Sequence, residues 1–377
     1  MTRLAIIAER AIDETRVAAT PDTVKKFVGQ GLEVVVESGA GKGAAMSDAD
    51  YEAAGAKLAP DVRSALSDAD LLLKVRPVLA DEAAALKSGA CVVALLNPYG
   101  ERAALEVLAA RGVTAFSMEF VPRITRAQVM DALSSQANLA GYRAVIEAAE
   151  VYGRAFPMMM TAAGAIAPAK VFVMGAGVAG LQAIATARRL GAVVTATDVR
   201  PAAKEQVESL GAKFIAVEDE EFKAAETAAG YAKPMSAAYQ AKQAELVGEH
   251  IKKQDIVITT ALIPGRPAPR LVSEAQVLSM REGSVLVDLA VEQGGNVEGV
   301  NPGQITRLGG ATVVGLMNLP GRVAADASSL YARNLQAFVA LLFDKDGALA
   351  PDLEDEILKA SLVARGGAIC HPSLIAG

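Results

Sequence analysis

A chain of 377 residues is longer than one compact core of about 100–200 residues usually requires, so two domains are expected. Hydrophobic residues make up 52% of the chain and aromatics only 4%, with no Trp; burial therefore falls to Ala, Val, Leu and Ile, as in α/β proteins with doubly covered parallel sheets. The net charge of −6 and pI near 5.3, without a cluster of Lys and Arg, exclude a nucleic-acid partner, and the lone Cys91 and Cys370 form neither a disulfide framework nor a metal motif, which points to a reducing compartment.

The first apolar run, Leu4–Ala8, is too short for a signal-peptide core and is stopped by Glu9, so it reads as a strand. Further β-rich runs at Glu33–Glu37, Asp70–Val75, Cys91–Leu96 and Thr114–Met118 alternate with helical stretches. One such helix is Pro21–Gln30, with Thr20 as its N-cap, and another is Ala80–Ser88. These make an α/β domain ending near residue 122. An Ala-rich helix is predicted from Ala127 through Tyr152. The apolar stretch from Ala155 to Ala187 would raise a hydropathy plot, but Pro157, Pro168 and the glycines break it, and no transmembrane helix is expected there.

The second domain begins with strands at Lys170–Met174, Val193–Thr197, Lys213–Ala216, Asp255–Thr259, Ser284–Asp288 and Thr312–Gly315, the six of a complete dinucleotide fold. Between Asp219 and Lys242 lies a polar insertion, including Gly230–Met235, that fits neither a strand nor a helix. Helices are expected again over Asp326–Phe343 and Glu354–Leu362, with the tail returning to the first domain. The fold class is thus α/β, with two Rossmann-like doubly wound domains joined by long helices. The first spans 1–126 with about 327–377, and the second spans 127–326.

A GxGxxG pattern means little without context. Here an apolar strand, Val171-Phe172-Val173-Met174, enters Gly175-Ala176-Gly177-Val178-Ala179-Gly180, and a helical pattern leaves it. Gly175 suits the tight turn, Gly177 lets the backbone approach a pyrophosphate, and Gly180 lets helix and strand pack closely. The phosphates would lie on the helix N-terminus beside Val178 and Ala179. Asp198 follows Gly180 by 18 residues, ending a second strand and leading into Val199 and Arg200. A carboxylate there accepts from a ribose diol and repels a 2′-phosphate, which favours NAD(H) over NADP(H), although Arg200 could recruit such a phosphate.

A dehydrogenase acting on an alcohol or amino acid needs a proton-transfer group. The chain has only His250, which reads as a solvated surface residue beside Lys252 and Lys253, and His371 near the end. Hydride transfer directly between two nicotinamide rings needs no such base.

Several blocks resemble the NAD(H)-binding component, domain I, of proton-translocating nicotinamide nucleotide transhydrogenase. They are Arg123-Ile124-Thr125-Arg126-Ala127-Gln128, Met130–Ser135, Asn138–Arg143, Gly175–Gly180, Lys204–Val207, Gly230–Lys233 and Thr259–Gly265, including Thr260 and Ala261. The resemblance covers essentially the whole chain. It implies that Arg123, Gln128 and Asp131, with Ser134 nearby, meet the nicotinamide; Gln128 and Ser134 would bond the carboxamide while Arg123 and Asp131 orient each other and the ring. It also implies that Tyr231 closes over bound nucleotide, and that Thr260 and Ala261 belong to the cofactor site. The implied cofactors are NAD(H) on this chain and NADP(H) on a partner. The implied partners are membrane-spanning and NADP(H)-binding transhydrogenase subunits and a second copy of this chain, with the complex on the inner face of the cell membrane and this subunit peripheral to it. The fold is shared with alanine dehydrogenase, where Arg16 and Lys74 would hold a substrate carboxylate and carbonyl. That enzyme's catalytic histidine would follow the strand Cys91–Leu96, where this chain has Asn97-Pro98. An amino-acid dehydrogenase and a non-catalytic NAD(H)-binding regulator are the alternatives.

Overall fold

A computed structural model describes residues 1–223 and 235–375. The chain divides into two compact units, Met1–Gln136 with Pro320–Gly377, and Ala137–Leu319. The first unit opens with β1 (Arg3–Ile6), β2 (Glu33–Glu37), β3 (Lys57–Ala59), β4 (Leu71–Leu73), β5 (Cys91–Ala94) and β6 (Thr114–Ser117). The second contains β7 (Met159–Thr161), β8 (Gly164–Ile166), β9 (Lys170–Met174), β10 (Val193–Thr197), β11 (Lys213–Phe214), β12 (Ile256–Thr259), β13 (Val285–Asp288), β14 (Ile305–Leu308) and β15 (Ala311–Val314). Two tail strands, β16 (Leu362–Arg365) and β17 (Ala368–Ile369), belong to the first unit. The principal helices are α1 (Pro21–Gly29), α2 (Ala132–Val151), α3 (Val178–Arg189), α4 (Ala237–Ile251), α5 (Ala324–Val339) and α6 (Glu356–Ser361).

The first sheet runs β17-β16-β6-β5-β4-β1-β2-β3. Its six leading strands are parallel in the doubly wound order, and the tail strands add antiparallel beyond β6. Alternation along β1 sends Leu4 and Ile6 to one core and Ala5 and Ile7 to another, so both faces are covered. From α5, Tyr331, Leu335 and Phe338 enter the core on the Leu4 face. Tyr331 is fully buried; its hydroxyl donates to the Lys74 carbonyl at 2.8 Å and accepts from the Leu95 N–H at 3.2 Å, closing the ends of adjacent strands.

The second sheet runs β11-β10-β9-β12-β13-β15-β14, again doubly wound and parallel, with β14 antiparallel at the edge. Val171 and Val173 face one core, Phe172 and Met174 the other. The order reverses between β9 and β12, so the loops after these strands flank the crevice where such sheets take ligands. All six strands expected for this unit form. The helix expected over Ala127–Tyr152 does not start at Ala127: Thr125–Met130 is a 3-10 turn, and α2 begins at Ala132, behind Asp131. The insertion expected between Asp219 and Lys242 is helical at both ends, at Glu220–Lys223 and at the start of α4, where the Ser236 side chain accepts from the Tyr239 N–H.

Within the second unit, α2 and α3 approach so closely at Gly141 that an added Cβ would lie 2.0 Å from the Ala179 carbonyl oxygen. Ala in place of Gly in a helix gains about 1 kcal/mol of propensity, while overpacking against a backbone oxygen this close costs about 2–3 kcal/mol, the upper part of the usual range. We expect Gly141→Ala to lower stability by about 1–2 kcal/mol as read from the urea midpoint. An unchanged midpoint would contradict the close approach.

Candidate functional site

The glycine loop links the end of β9 to α3. Gly175 sits at φ +104°, a conformation that L side chains rarely adopt, and its N–H donates to the Thr197 carbonyl at 2.8 Å. Its carbonyl accepts from Thr260 Oγ1 at 3.1 Å, and a Cβ on Gly180 would lie 1.8 Å from that same oxygen. Gly177 is different: it is exposed, with nothing within 4 Å of where its Cβ would stand. It is the N-cap of α3 and supplies no side-chain cap, so the first-turn N–H groups near Val178 and Ala179 have no side-chain acceptor from the cap. An open surface over a helix N-terminus suits an anion, and the residues present fit a dinucleotide pyrophosphate.

Asp198, at the end of β10, ties the loop down. Its Oδ2 accepts from the Ala176 N–H at 2.7 Å, and its Oδ1 accepts from the Arg200 N–H at 2.9 Å. The Arg200 guanidinium spans both carboxylate oxygens, with Nε to Oδ1 at 2.9 Å and Nη2 to Oδ2 at 3.0 Å. Val199 between them is exposed. On the other side of the crevice, the Thr260 N–H donates to the Met174 carbonyl at 2.9 Å. The Ala261 N–H donates to Asn296 Oδ1 at 2.9 Å, while Asn296 Nδ2 returns a bond to the Ala261 carbonyl at 2.8 Å. Asn296 is fully buried and fixes this loop. The sequence offers no signal for it, since it follows two glycines in a loop and pairs with Ala261 only through tertiary folding.

Arg123, Gln128, Asp131 and Ser134 belong to the first unit. Arg123 and Gln128 are exposed. Asp131 caps α2, its Oδ1 accepting from the Ser134 N–H at 2.8 Å and its Oδ2 from the Ser134 hydroxyl at 2.5 Å. Asp131 is thus engaged by Ser134, not by the expected partner Arg123. Tyr231, with residues 230–234, lies outside the described residues.

Also in the first unit is a buried ionic cluster. Arg16 is 4% exposed and bonds Glu14 through Nη2 at 2.6 Å and Nε at 2.8 Å, and Gln136 Oε1 through Nη1 at 2.7 Å. Lys74, 1% exposed, bonds both Glu82 oxygens at 2.8 and 2.9 Å and lies 3.4 Å from Glu9. Burial pushes the Glu14 carboxyl up, but hydrogen bonds and charge from Arg16, with Arg76 beside it, outweigh burial and hold it at about 2. Burial raises Glu9 despite Lys74.

The solvated reading of His250 is corrected. Its Nε2 lies 2.8 Å from Thr195 Oγ1, and its ring meets Phe172 edge-on at 4.7 Å. Burial, with Lys253 and Lys213, pushes its pKa down. His371 stacks on Phe120 at 4.2 Å, and burial lowers it too.

Because the folded pKa of Glu14 lies below its ordinary 4.5, its contribution to stability is complete above that pH and lost as pH falls toward about 2. Glu14→Gln should be less stable than the parent at pH 7, with the gap in urea midpoint closing between pH 4.5 and about 2. A gap independent of pH would contradict the pairing.

Residues 5–140 match the alanine dehydrogenase/PNT N-terminal domain, and residues 144–372 the alanine dehydrogenase/PNT C-terminal domain. The chain is similar to an NAD(P) transhydrogenase subunit alpha polypeptide of Rhodospirillum rubrum, with 56% identity over 378 aligned positions covering 99% of this chain and 98% of the relative. It is similar in structure to the transhydrogenase from Sinorhizobium meliloti, with a TM-score of 0.89 at 56% identity, covering 98% of this chain and all of that one. Alanine dehydrogenase of Mycobacterium tuberculosis is more distant, 34% identical over 309 positions covering 80% of this chain and 75% of the relative. The chain therefore belongs to the alanine dehydrogenase/PNT family, with transhydrogenase alpha subunits among its relatives of high identity.

Proposed function

We propose that this chain is the NAD(H)-binding component of a proton-translocating transhydrogenase, exchanging hydride directly with NADP(H) held on a partner subunit. The single observation that carries the choice over an amino-acid dehydrogenase is the pairing of Arg16 and Lys74. A substrate carboxylate needs an available cation, but the chain's own Glu14 and Glu82 already neutralise both at 2.6–2.9 Å. The position after β5 also carries Asn97, whose N–H donates to Glu119 at 2.8 Å, and offers no imidazole for proton transfer.

When bound, the dinucleotide supplies the hydride chemistry, and the chain's residues bind and orient it. Gly175 and Gly180 shape the turn, Gly177, Val178 and Ala179 receive the pyrophosphate at the α3 N-terminus, and Asp198, flanked by Val199 and Arg200, takes the adenosine ribose. Thr260 and Ala261 form the far lip of the crevice. Exposed Gln128 and the Ser134 hydroxyl are suited to the carboxamide, with Asp131 holding Ser134 in place and Arg123 orienting the ring; Tyr231 is assigned a covering role.

The partners in this reading are the membrane-spanning and NADP(H)-binding subunits, with this chain peripheral on the inner face of the cell membrane. Among the described residues no helix is long and apolar enough to cross a membrane. A second copy of the chain is the proposed occupant of the β7–β8 hairpin. Residues 158–167 are exposed throughout, with Met158 at 63% and Met160 at 80%, and a two-stranded hairpin is marginal by itself.

Mixing the chain with an NADP(H)-binding partner domain, NADH and NADP⁺ should give partner-dependent reduction. No rate at saturation would overturn the proposal, and reduction of NAD⁺ by alanine without a partner would establish the dehydrogenase instead. Gln128→Asn should slow hydride transfer roughly tenfold or more while NADH affinity stays nearly constant, because it shortens the reach to the carboxamide. Unchanged turnover removes Gln128 from the site. Replacing Met158 and Met160 with Lys should shift the chain to monomer in sedimentation, and an unaltered dimer would place the contact elsewhere.

A further inference from the structure

The Asp198 carboxylate is saturated by its own chain. A carboxylate offers about four lone-pair positions, and four donors fill them: the N–H groups of Ala176 and Arg200, and Nε and Nη2 of Arg200. The two backbone donors are built into the fold. Ala176 follows Gly175, which is itself held by the Thr197 carbonyl, and the Arg200 N–H closes a tight turn two residues beyond the acceptor. The guanidinium is the removable pair. The Arg200 side chain is 33% exposed against 7% for Asp198, and its fork places one donor on each oxygen. A ribose diol would also present one hydroxyl donor to each oxygen.

We infer that the Arg200 guanidinium is a placeholder for the adenosine ribose diol, so that NAD(H) binds by displacing it from Asp198. The inference rests on the assignment of Asp198 to the ribose. Arg200 then acts against the affinity of the very site it lines. The bound cofactor is held less tightly than the other contacts allow, and the ion pair re-forms on release. The pair also keeps a nine-tenths buried carboxylate satisfied when no ribose is present.

The test is equilibrium binding of NADH, ADP-ribose and reduced nicotinamide mononucleotide, which lacks the adenosine half, to the full chain and three variants. Arg200→Ala should bind NADH and ADP-ribose about two- to fivefold more tightly, the range expected for release from a partly exposed ion pair, with no change for the mononucleotide. Arg200→Lys keeps the charge but cannot span both oxygens, and should fall between. Equal or weaker NADH binding in both Arg200 variants overturns the placeholder, as does equal tightening of the mononucleotide. Asp198→Ala separates the two levels: if it leaves NADH affinity unmoved, the ribose assignment itself fails, whereas if it weakens NADH while Arg200→Ala does not tighten it, only the placeholder fails.

Discussion

The Gly175 carbonyl leaves no space for a Cβ on the first turn of α3, and the architecture of the second unit around the crevice follows from that contact. With a hydrogen atom at Gly180, α3 can start immediately behind β9 with its N-terminus toward the crevice. The same carbonyl accepts from Thr260, which joins the β12 loop to the β9 loop at the point where the strand order reverses. Asp198 bonds the Ala176 N–H from the β10 side. Three parallel strands thus deliver their C-terminal loops to one small region, held by backbone groups that a larger residue at Gly180 would push apart.

The first unit uses the same strand order for a different electrostatic end. Around its β1 and β4 strand ends the charges are internal: Arg16 with Glu14 and Gln136, Lys74 with Glu82 and Glu9. Buried charges are tolerated only when paired, and each of these cations is. A chain that folds this way keeps its cations occupied without an external carboxylate.

The periodic strands are legible in the sequence because their side chains must be buried on both faces, which forces continuous apolar runs such as Val171–Met174. The glycine motif is legible because its backbone demands leave few alternatives to Gly. Other features are less so. Strands β3, β7, β8 and β17 have only two or three residues, and β14 and β16 are antiparallel additions to their sheets without a long apolar run, so pairing rather than composition marks them. The 3-10 turn over Thr125–Met130 shares helical spacing with the helix that follows, and only the cap formed by Asp131 with Ser134 sets the start of α2. His250 reads as solvated because its neighbours in sequence are lysines, whereas its contacts, Thr195 and Phe172, lie far away along the chain.

The sequence by itself determined the doubly wound class, the position of the glycine turn and the presence of a carboxylate at the second strand end, since these depend on local backbone geometry and residue spacing. The tertiary structure alone decided how the charges are satisfied. Arg200 closes on Asp198, Glu14 and Gln136 close on Arg16, and Asn296 closes on the Ala261 backbone. Arg200 and Glu14 stand two residues from their partners, yet which neighbour each closes on follows from the burial around it, while Gln136 with Arg16 and Asn296 with Ala261 join segments 120 and 35 residues apart, of which spacing along the chain carries no record.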